Sequence, residues 1–221
     1  MARKMINTIK TEENYYSAYA EIDSVNNRVL TAMQVIDREE FVPDAYIKHV
    51  YDNGFIPIGY GQTIPPPFIV ELMTNLADTA SDKVVLEVGT GSGFQAAILS
   101  MLAKKVYTIE TIPELAKTSK NKLRKMGFSN VEVKCGDGYY GWKEKSPFDA
   151  IIVSAAVPHI PQSLIEQLKP AGHLVLPVGE PHSQQMLLLV TKDKNGIIKT
   201  ESILPVTFGS LVSSNVDVTY L

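Results

Sequence analysis

The sequence predicts an α/β fold: a mostly parallel sheet with helices on both faces, an antiparallel hairpin at its C-terminal end, and a helical N-terminal cap. Apolar and amphipathic segments alternate between residues 82 and 178, and such alternation favours a parallel sheet covered by helices. Two further strand-like segments flank Lys192–Gly196, whose Asn-Gly pair is typical of a hairpin turn. Apolar residues at three- and four-residue steps precede the alternation, as in an amphipathic helix.

The N-terminal part is expected to be helical and then irregular. Five apolar residues between Glu12 and Arg38 share one helical face: Ile22, Val25, Val29, Met33 and Ile36. Prolines punctuate residues 41–67, and each one removes a backbone donor and restricts the residue before it, which excludes a regular helix. We expect a long structureless loop, and such loops in compact domains are usually functional.

The alternating region divides into elements by its hydrophobic pattern. The predicted strands are Val84–Val88, Lys105–Glu110, Val131–Lys134, Asp149–Val153 and Gly172–Val178, and the predicted helices are Gln95–Leu102, Glu114–Met126 and Pro161–Leu168. The hairpin strands are predicted at Gln185–Thr191 and Ile197–Ile203. Gly127 follows the second helix, as a C-cap glycine does.

The composition limits the class of partner. The chain has 221 residues, with 21 Lys and Arg against 24 Asp and Glu, a net charge of −3. Because an acidic chain lacks a phosphate-neutralising surface, we expect no nucleic-acid partner. Polar and charged residues stand where a signal peptide needs an apolar stretch, and the apolar runs are too short to span a bilayer. We expect a cytoplasmic monomer without membrane attachment.

Cysteine and histidine indicate no metal site. Cys135 is the only cysteine, which excludes an internal disulfide and a multi-cysteine metal centre. We expect its side chain to be buried, since free cysteine commonly is. The four histidines lack metal-ligand spacing. His159 follows a predicted strand end and is expected to be either a solvated loop residue or part of a site rim.

A glycine-rich segment joins the first predicted strand of the alternating region to a helix. It reads Gly89, Thr90, Gly91, Ser92 and Gly93. Glycines at such a turn let the backbone approach a ligand closely, and the helix N-terminus favours electron-rich groups. The third glycine comes one place too early for a dinucleotide fingerprint, and no Gly-Lys-Ser/Thr sequence follows. A tight turn without a ligand remains the alternative.

Two acidic residues follow the next two predicted strands. Glu110 lies 110 − 91 = 19 residues beyond Gly91, where an acid can accept hydrogen bonds from both ribose hydroxyls. Asp137 lies at the next strand end and is expected to pair with an exocyclic adenine amine. Taken singly, each is equally well a solvated or capping carboxylate. A parallel sheet that ends in a hairpin resembles the Rossmann-like class I methyltransferases, which implies S-adenosyl-L-methionine as the cofactor.

Longer segments resemble the protein-L-isoaspartate O-methyltransferase family over about residues 41–196. They are Pro57–Ile64, Leu86–Ala97, Val106–Glu110, Gly136–Gly138, Pro147–Val153, Glu166–Pro170 and Leu176–Gly179. The stretch Gly-Gln-Thr-Ile within the first is more specific to the family than the glycine turn. The resemblance implies methylation of the carboxylate of L-isoaspartyl and D-aspartyl residues in damaged proteins and peptides. The ester then closes to a succinimide, which partly reopens to normal aspartate.

The resemblance also implies site residues. Those expected to bind the cofactor are Gln62, Ile64, Glu87, Gly89, Thr90, Gly91, Ser92, Gly93, Glu110, Asp137 and Gly138. Those expected to bind the substrate are Ile58, Thr63, Phe208, Leu211 and Val212, with Thr63 and Pro65 at the catalytic positions. We expect one methyltransferase domain over 1–221, made of a cap and substrate loop (1–80), a cofactor-binding core (81–184), and a hairpin with a C-terminal substrate segment (185–221).

The chain departs from the family pattern at two places. Pro65 stands where the family has an active-site serine, and proline has neither a hydroxyl group nor a backbone N–H to donate. Thr207–Leu211 matches only loosely the family's run of an aromatic residue, Val, Pro and Leu. Losing one hydrogen bond to a charged group costs about 1.5–3 kcal/mol, on the order of ten- to a hundredfold in rate.

These departures leave three interpretations open. The first is a repair methyltransferase, impaired or retuned, in which Thr63, Thr207 or Ser210 supplies the missing hydroxyl group. The second is a related enzyme that methylates a carboxylate of another peptide. The third is a relative that binds the cofactor without turnover.

Overall fold

The structure, a computed structural model, describes residues 2–16, 27–180 and 183–213. Its helices are α1 (Ala2–Tyr16), α2 (Asn27–Val35), α3 (Pro67–Leu76), α4 (Phe94–Leu102), α5 (Pro113–Lys125) and α6 (Gln162–Glu166). Its strands are β1 (Ile56–Gly59), β2 (Gln62–Ile64), β3 (Val84–Val88), β4 (Lys105–Glu110), β5 (Val131–Cys135), β6 (Phe148–Val153), β7 (Leu168–Val178), β8 (Gln185–Lys192) and β9 (Ile198–Val206). Four short 3₁₀ helices lie at Arg38–Phe41, Asp44–His49, Gly138–Tyr140 and Lys143–Lys145.

The main sheet has seven strands in the order β5-β4-β3-β6-β7-β8-β9. The first five strands in this order, β5, β4, β3, β6 and β7, are mutually parallel. Strands β8 and β9 each run antiparallel to the strand before them. The chain order reverses between β3 and β6, which is where open α/β sheets form a crevice for ligands. The predicted fold class is confirmed, including the antiparallel C-terminal hairpin.

Both faces of the sheet are buried. Alternate residues of β3 point to opposite sides, so Val85 belongs to one apolar cluster and Leu86 to the other. The first cluster takes residues from α1 to α4, and the second includes Trp142 and Leu164 of α6. Burial on both faces explains why the central strands read as unbroken apolar runs.

The N-terminal helix prediction is confirmed only in part. Val29 and Met33 lie buried in α2, and Ile36 is buried just beyond its end. Ile22 and Val25 lie outside the described residues. Arg38 begins a 3₁₀ helix.

The expectation of a structureless loop over residues 41–67 is wrong. Strands β1 and β2 form an antiparallel hairpin in which Ile56 faces Ile64, and both side chains are buried. The turn between them places Gly59, Tyr60 and Gly61 at positive φ. The prolines exclude a helix, but they do not exclude extended strands of an isolated two-stranded hairpin, where few backbone N–H groups are needed.

Three smaller differences have local reasons. Helix α3 was not expected, although it begins with Pro67 at its first position, where a missing N–H is tolerated. Strand β7 begins at Leu168, so the predicted helix is shortened to α6. Cys135 is exposed rather than buried, since it lies at the end of an edge strand. Among the described residues, no helix is long and apolar enough to cross a membrane.

Candidate active site

A cavity that is open to solvent lies at the carboxyl ends of β3, β4 and β6. Its walls come from three parts of the chain: the β1–β2 hairpin with α3, the parallel strands, and the segment after β9. Fourteen of the predicted site residues line it, and several of them belong to the glycine turn after β3. They are Ile58, Gln62, Thr63, Ile64, Pro65, Glu87, Gly89, Thr90, Gly91, Ser92, Glu110, Gly138, Leu211 and Val212.

The glycine turn requires glycine for both conformation and space. Gly91 has φ +52° and Gly93 has φ +91°, in the left-handed region that side chains rarely adopt. A Cβ atom on Gly91 would lie 3.3 Å from Cδ1 of Ile58, and one on Gly93 would lie 3.2 Å from Cδ1 of Leu123. Gly93 is the N-cap of α4 and faces away from the cavity, toward Leu123 of α5. The backbone of the turn therefore stays open toward the cavity.

Glu110 holds this turn from the end of β4. Its Oε2 accepts a hydrogen bond from the backbone N–H of Gly91 at 2.7 Å, and its Oε1 accepts one from Ile112 at 3.0 Å. The side chain is buried, and it lines the cavity. Each carboxylate oxygen can accept a second hydrogen bond, so the arrangement is compatible with ribose hydroxyl donors.

Glu87 forms a buried acidic floor. Its Oε2 accepts a hydrogen bond from the Thr108 hydroxyl at 2.6 Å, and since Thr108 has one hydroxyl hydrogen, Thr90 donates to Thr108 at 2.6 Å. Its Oε1 is buried and has no hydrogen-bond partner among the described residues. Burial raises the pKa of Glu87 to about 8, against the lowering effect of the Thr108 hydrogen bond, with a further rise from the charge of Glu110.

Asp137 is engaged by the protein. Its Oδ1 accepts a hydrogen bond from the backbone N–H of Tyr139 at 2.9 Å and caps a 3₁₀ helix, and its Oδ2 accepts one from the Ser213 hydroxyl at 2.7 Å. Gly138, rather than Asp137, lines the cavity in the described part of the chain. The capping alternative therefore describes what Asp137 does in this structure, and the adenine contact stays a prediction.

The acceptor end of the cavity is formed by β2 and the residue after it. The carbonyl oxygen of Pro65 accepts a hydrogen bond from Nη2 of Arg38 at 2.8 Å. Thr63 is exposed and lines the cavity. Pro65 offers no donor, and its one backbone acceptor is already engaged.

The segment after β9 closes the opposite side. Leu211 and Val212 line the cavity, as does Ser210. Phe208 does not line it in the described structure, and it lines a separate surface groove with Phe55 instead. Its predicted contact with substrate stays a prediction.

The sequence patterns missed two residues that support this site. Thr108 is a small polar residue in the mostly apolar strand between Val106 and Ile109, and this break in the pattern was a usable signal. Arg38 is 0% exposed, donates through Nε to the Val50 carbonyl at 2.9 Å, and lies 4.6 Å from the centre of the Phe94 ring. No local pattern marked it.

His159 is not among the residues that line the cavity. His159 is exposed, and its Nε2 lies 3.0 Å from the Tyr139 hydroxyl oxygen. The described ranges hold no group of three His, Cys, Asp or Glu side chains placed to bind a metal ion.

The strand order, the glycine turn after β3 and the antiparallel edge together define a class I methyltransferase fold of the Rossmann-like type. The family model "Protein-L-isoaspartate(D-aspartate) O-methyltransferase" matches residues 18–216, and the chain belongs to that family.

Similar proteins agree with this membership. Protein-L-isoaspartate O-methyltransferase 2 of Nitrosococcus oceani is 49% identical over 213 residues, which cover 96% of this chain and 97% of that protein. The protein of the same name from Syntrophobacter fumaroxidans is 47% identical and is covered to 86%. A solved protein-L-isoaspartate O-methyltransferase superposes with a TM-score of 0.82 at 25% identity, covering 96% of this chain and 66% of that one.

A second solved structure shares the fold. It is a proposed protein-L-isoaspartate O-methyltransferase of Plasmodium falciparum in complex with S-adenosyl-L-homocysteine. It superposes with a TM-score of 0.75 at 22% identity and covers 93% of this chain and 97% of that one.

Proposed function

We propose that this chain transfers the methyl group of S-adenosyl-L-methionine to the free carboxylate of L-isoaspartyl and D-aspartyl residues in damaged proteins. The observation that carries the proposal is one cavity shared by the glycine turn and the Gly-Gln-Thr-Ile segment. Family membership supports the reaction type and the acceptor. The ester then closes to a succinimide, so the methylation begins repair.

The residues around the glycine turn fit the cofactor. Glu87 presents a buried carboxylate oxygen without a described partner, which suits the ammonium group of an amino acid. Gly91 leaves backbone space where a side chain would meet Ile58, and Glu110 orders that turn and keeps acceptor capacity for ribose. The bound cofactor supplies a methyl group on a positively charged sulfur.

At the acceptor end the protein needs to position rather than to activate. An aspartyl-type carboxylate has a reference pKa near 4, so it is ionised at neutral pH and needs no general base. Positioning of the carboxylate oxygen in line with the methyl carbon and sulfur contributes up to about 7–11 kcal/mol. Support for this role comes from the walls that β2 and residues 210–212 contribute to the same cavity as the glycine turn.

The test uses methyl-labelled S-adenosyl-L-methionine and paired peptides that differ only in aspartyl or isoaspartyl linkage. We expect base-labile label on the isoaspartyl peptide alone. Gly91→Val should abolish it, since the side chain would fill the cofactor space, whereas Gly54→Val, where nothing lies within 4 Å of an added Cβ, should not. Equal labelling of both peptides, or no labelling despite cofactor binding, would overturn the proposal.

We also propose that residues 1–80, 81–184 and 185–221 act as one methyltransferase domain. Support comes from the cavity, whose lining residues are drawn from all three segments. We propose further that the protein is monomeric and cytoplasmic and has no nucleic-acid partner, on the grounds of composition and charge. Sedimentation of the purified chain with and without RNA tests the monomeric state and the lack of RNA binding.

A further inference from the structure

Ser210 lies in the cavity wall that also contains Pro65, on a segment held in place by the sheet. The backbone N–H of Ala156 donates to the Gly209 carbonyl at 2.8 Å, and the N–H of Leu211 donates to the Ala156 carbonyl at 2.7 Å. These two hydrogen bonds flank Ser210 on both sides. Its backbone is therefore fixed relative to the end of β6.

The Ser210 hydroxyl group is uncommitted. The side chain is half-buried and makes no hydrogen bond with the residues that the structure describes. The neighbouring residue, Gly209, lies close to the β1–β2 hairpin, since a Cβ atom on Gly209 would lie 3.7 Å from Oε1 of Gln62. A fixed, free donor thus borders the acceptor end of the cavity.

The two other hydroxyl groups that the sequence offers as substitutes, those of Thr207 and Thr63, are less well placed. Thr207 lies in the separate groove with Phe55 and does not border the cavity. Thr63 is exposed on the hairpin, and the Thr90 hydroxyl donates to Thr108 at the buried floor. Ser210 combines partial burial with a fixed backbone.

We propose that the Ser210 hydroxyl group donates a hydrogen bond to the substrate carboxylate, at a cavity wall where Pro65 offers no donor. The proposal rests on the proposed function. The oxygen that is not methylated accepts the hydrogen bond, while the other oxygen forms a bond to the methyl carbon. The carbon–sulfur bond breaks with its electron pair on sulfur, which becomes a neutral thioether, and no proton is transferred.

The test compares Ser210→Ala, Ser210→Thr and the matched control Ser202→Ala, an exposed serine on β9, in methylation of the isoaspartyl peptide. We expect Ser210→Ala to lower kcat/KM about ten- to a hundredfold, as for a lost hydrogen bond to a charged group. Ser210→Thr should retain most activity, and the control should stay within about twofold. Cofactor affinity and melting temperature should not change in any variant.

A second background separates a donor role from a structural one. In the Pro65→Ser background, the added serine hydroxyl group should take over the hydrogen bond, so Ser210→Ala should change kcat/KM by no more than about threefold. An unchanged kcat/KM for Ser210→Ala in the natural sequence, an undiminished loss in Pro65→Ser, or a loss for Thr207→Ala instead would each overturn the assignment of Ser210. An inactive natural enzyme would instead overturn the proposed function itself.

Discussion

Gly138 packs its α-carbon against β3 so closely that no side chain fits there. A Cβ atom at this position would overlap Cγ1 of Val88, and its nearest other contacts are also atoms of Val88. Its φ is outside the left-handed region, so space alone, and not backbone conformation, requires glycine. Gly138 and Val88 both line the cavity.

We therefore expect Gly138→Ala to destabilise the protein by about 1–3 kcal/mol, the usual cost of overpacking. Gly54→Ala is the control, because nothing lies within 4 Å of its added Cβ and its φ is ordinary. Denaturant unfolding of both variants measures the difference. Equal stabilities would contradict the packing argument.

Glu87 makes stability depend on pH. Its pKa is raised from 4.5 to about 8, chiefly by burial, so the folded protein holds a proton that the unfolded chain releases above about pH 4.5. The free energy of unfolding consequently falls as pH rises from about 4.5 to about 8, and it becomes level above that range.

Glu87→Gln should flatten this decline, because the amide oxygen can accept the Thr108 hydrogen bond and cannot titrate. Melting temperatures of the wild-type protein and the variant between pH 5 and 8.5 test this, with exposed Glu201→Gln as the control. Parallel curves for wild type and Glu87→Gln would show that Glu87 is ionised in the folded protein without cofactor.

At the scale of elements, Arg38 joins three segments that are distant along the chain. Its guanidinium group donates to the carbonyls of Val50 and Pro65 and packs over Phe94, the first residue of α4. Burial lowers its pKa to about 10, so it remains charged at neutral pH. Arg38 thereby holds the end of the β1–β2 hairpin close to α4, the helix that follows the glycine turn.

Arg38→Met should therefore raise the KM for isoaspartyl peptide about three- to tenfold, through the freed Pro65 carbonyl, with a smaller effect on cofactor affinity. It should also destabilise the protein by about 1–3 kcal/mol, because the carbonyl groups of Val50 and Pro65 lose their donor, although the variant removes a buried charge that has no carboxylate partner among the described residues. Steady-state kinetics with isothermal calorimetry for the cofactor measure both effects. A large loss of cofactor affinity with an unchanged KM would contradict this positioning role.

At the scale of the whole molecule, the cavity depends on walls from the N-terminal, central and C-terminal parts of the chain. The C-terminal segment is also tied to the residues after β5, since the Ser213 hydroxyl group donates to Asp137. A ligand that fills this cavity contacts all three parts at once. It should thus stabilise them together.

We expect S-adenosyl-L-homocysteine at 100 times its Kd to stabilise the protein by about 2.7 kcal/mol, which raises the Tm by roughly 5–10 °C for a chain of this size. Unfolding should remain a single transition. NAD at the same concentration is the control and should leave the Tm unchanged. A second transition that the ligand does not move would contradict the single-domain proposal.

The sequence by itself determined the features that depend on neighbouring residues. The alternation from β3 to β7 and the C-terminal hairpin follow from hydrophobic periods of a few residues, and the glycine turn follows from a local need for positive φ at Gly91 and Gly93. The family-like stretches indicated the reaction type for the same reason, since they are short and contiguous.

Only the tertiary structure decided which groups remain free to meet a ligand. Asp137 is engaged by Ser213, 76 residues away, and the Pro65 carbonyl by Arg38, 27 residues away, whereas one oxygen of Glu87 is left without a described partner. Phe208 lies in another groove, although Leu211 lines the cavity. These outcomes depend on contacts between distant segments, which form only when the sheet brings its strand ends together, and a local pattern carries no record of them.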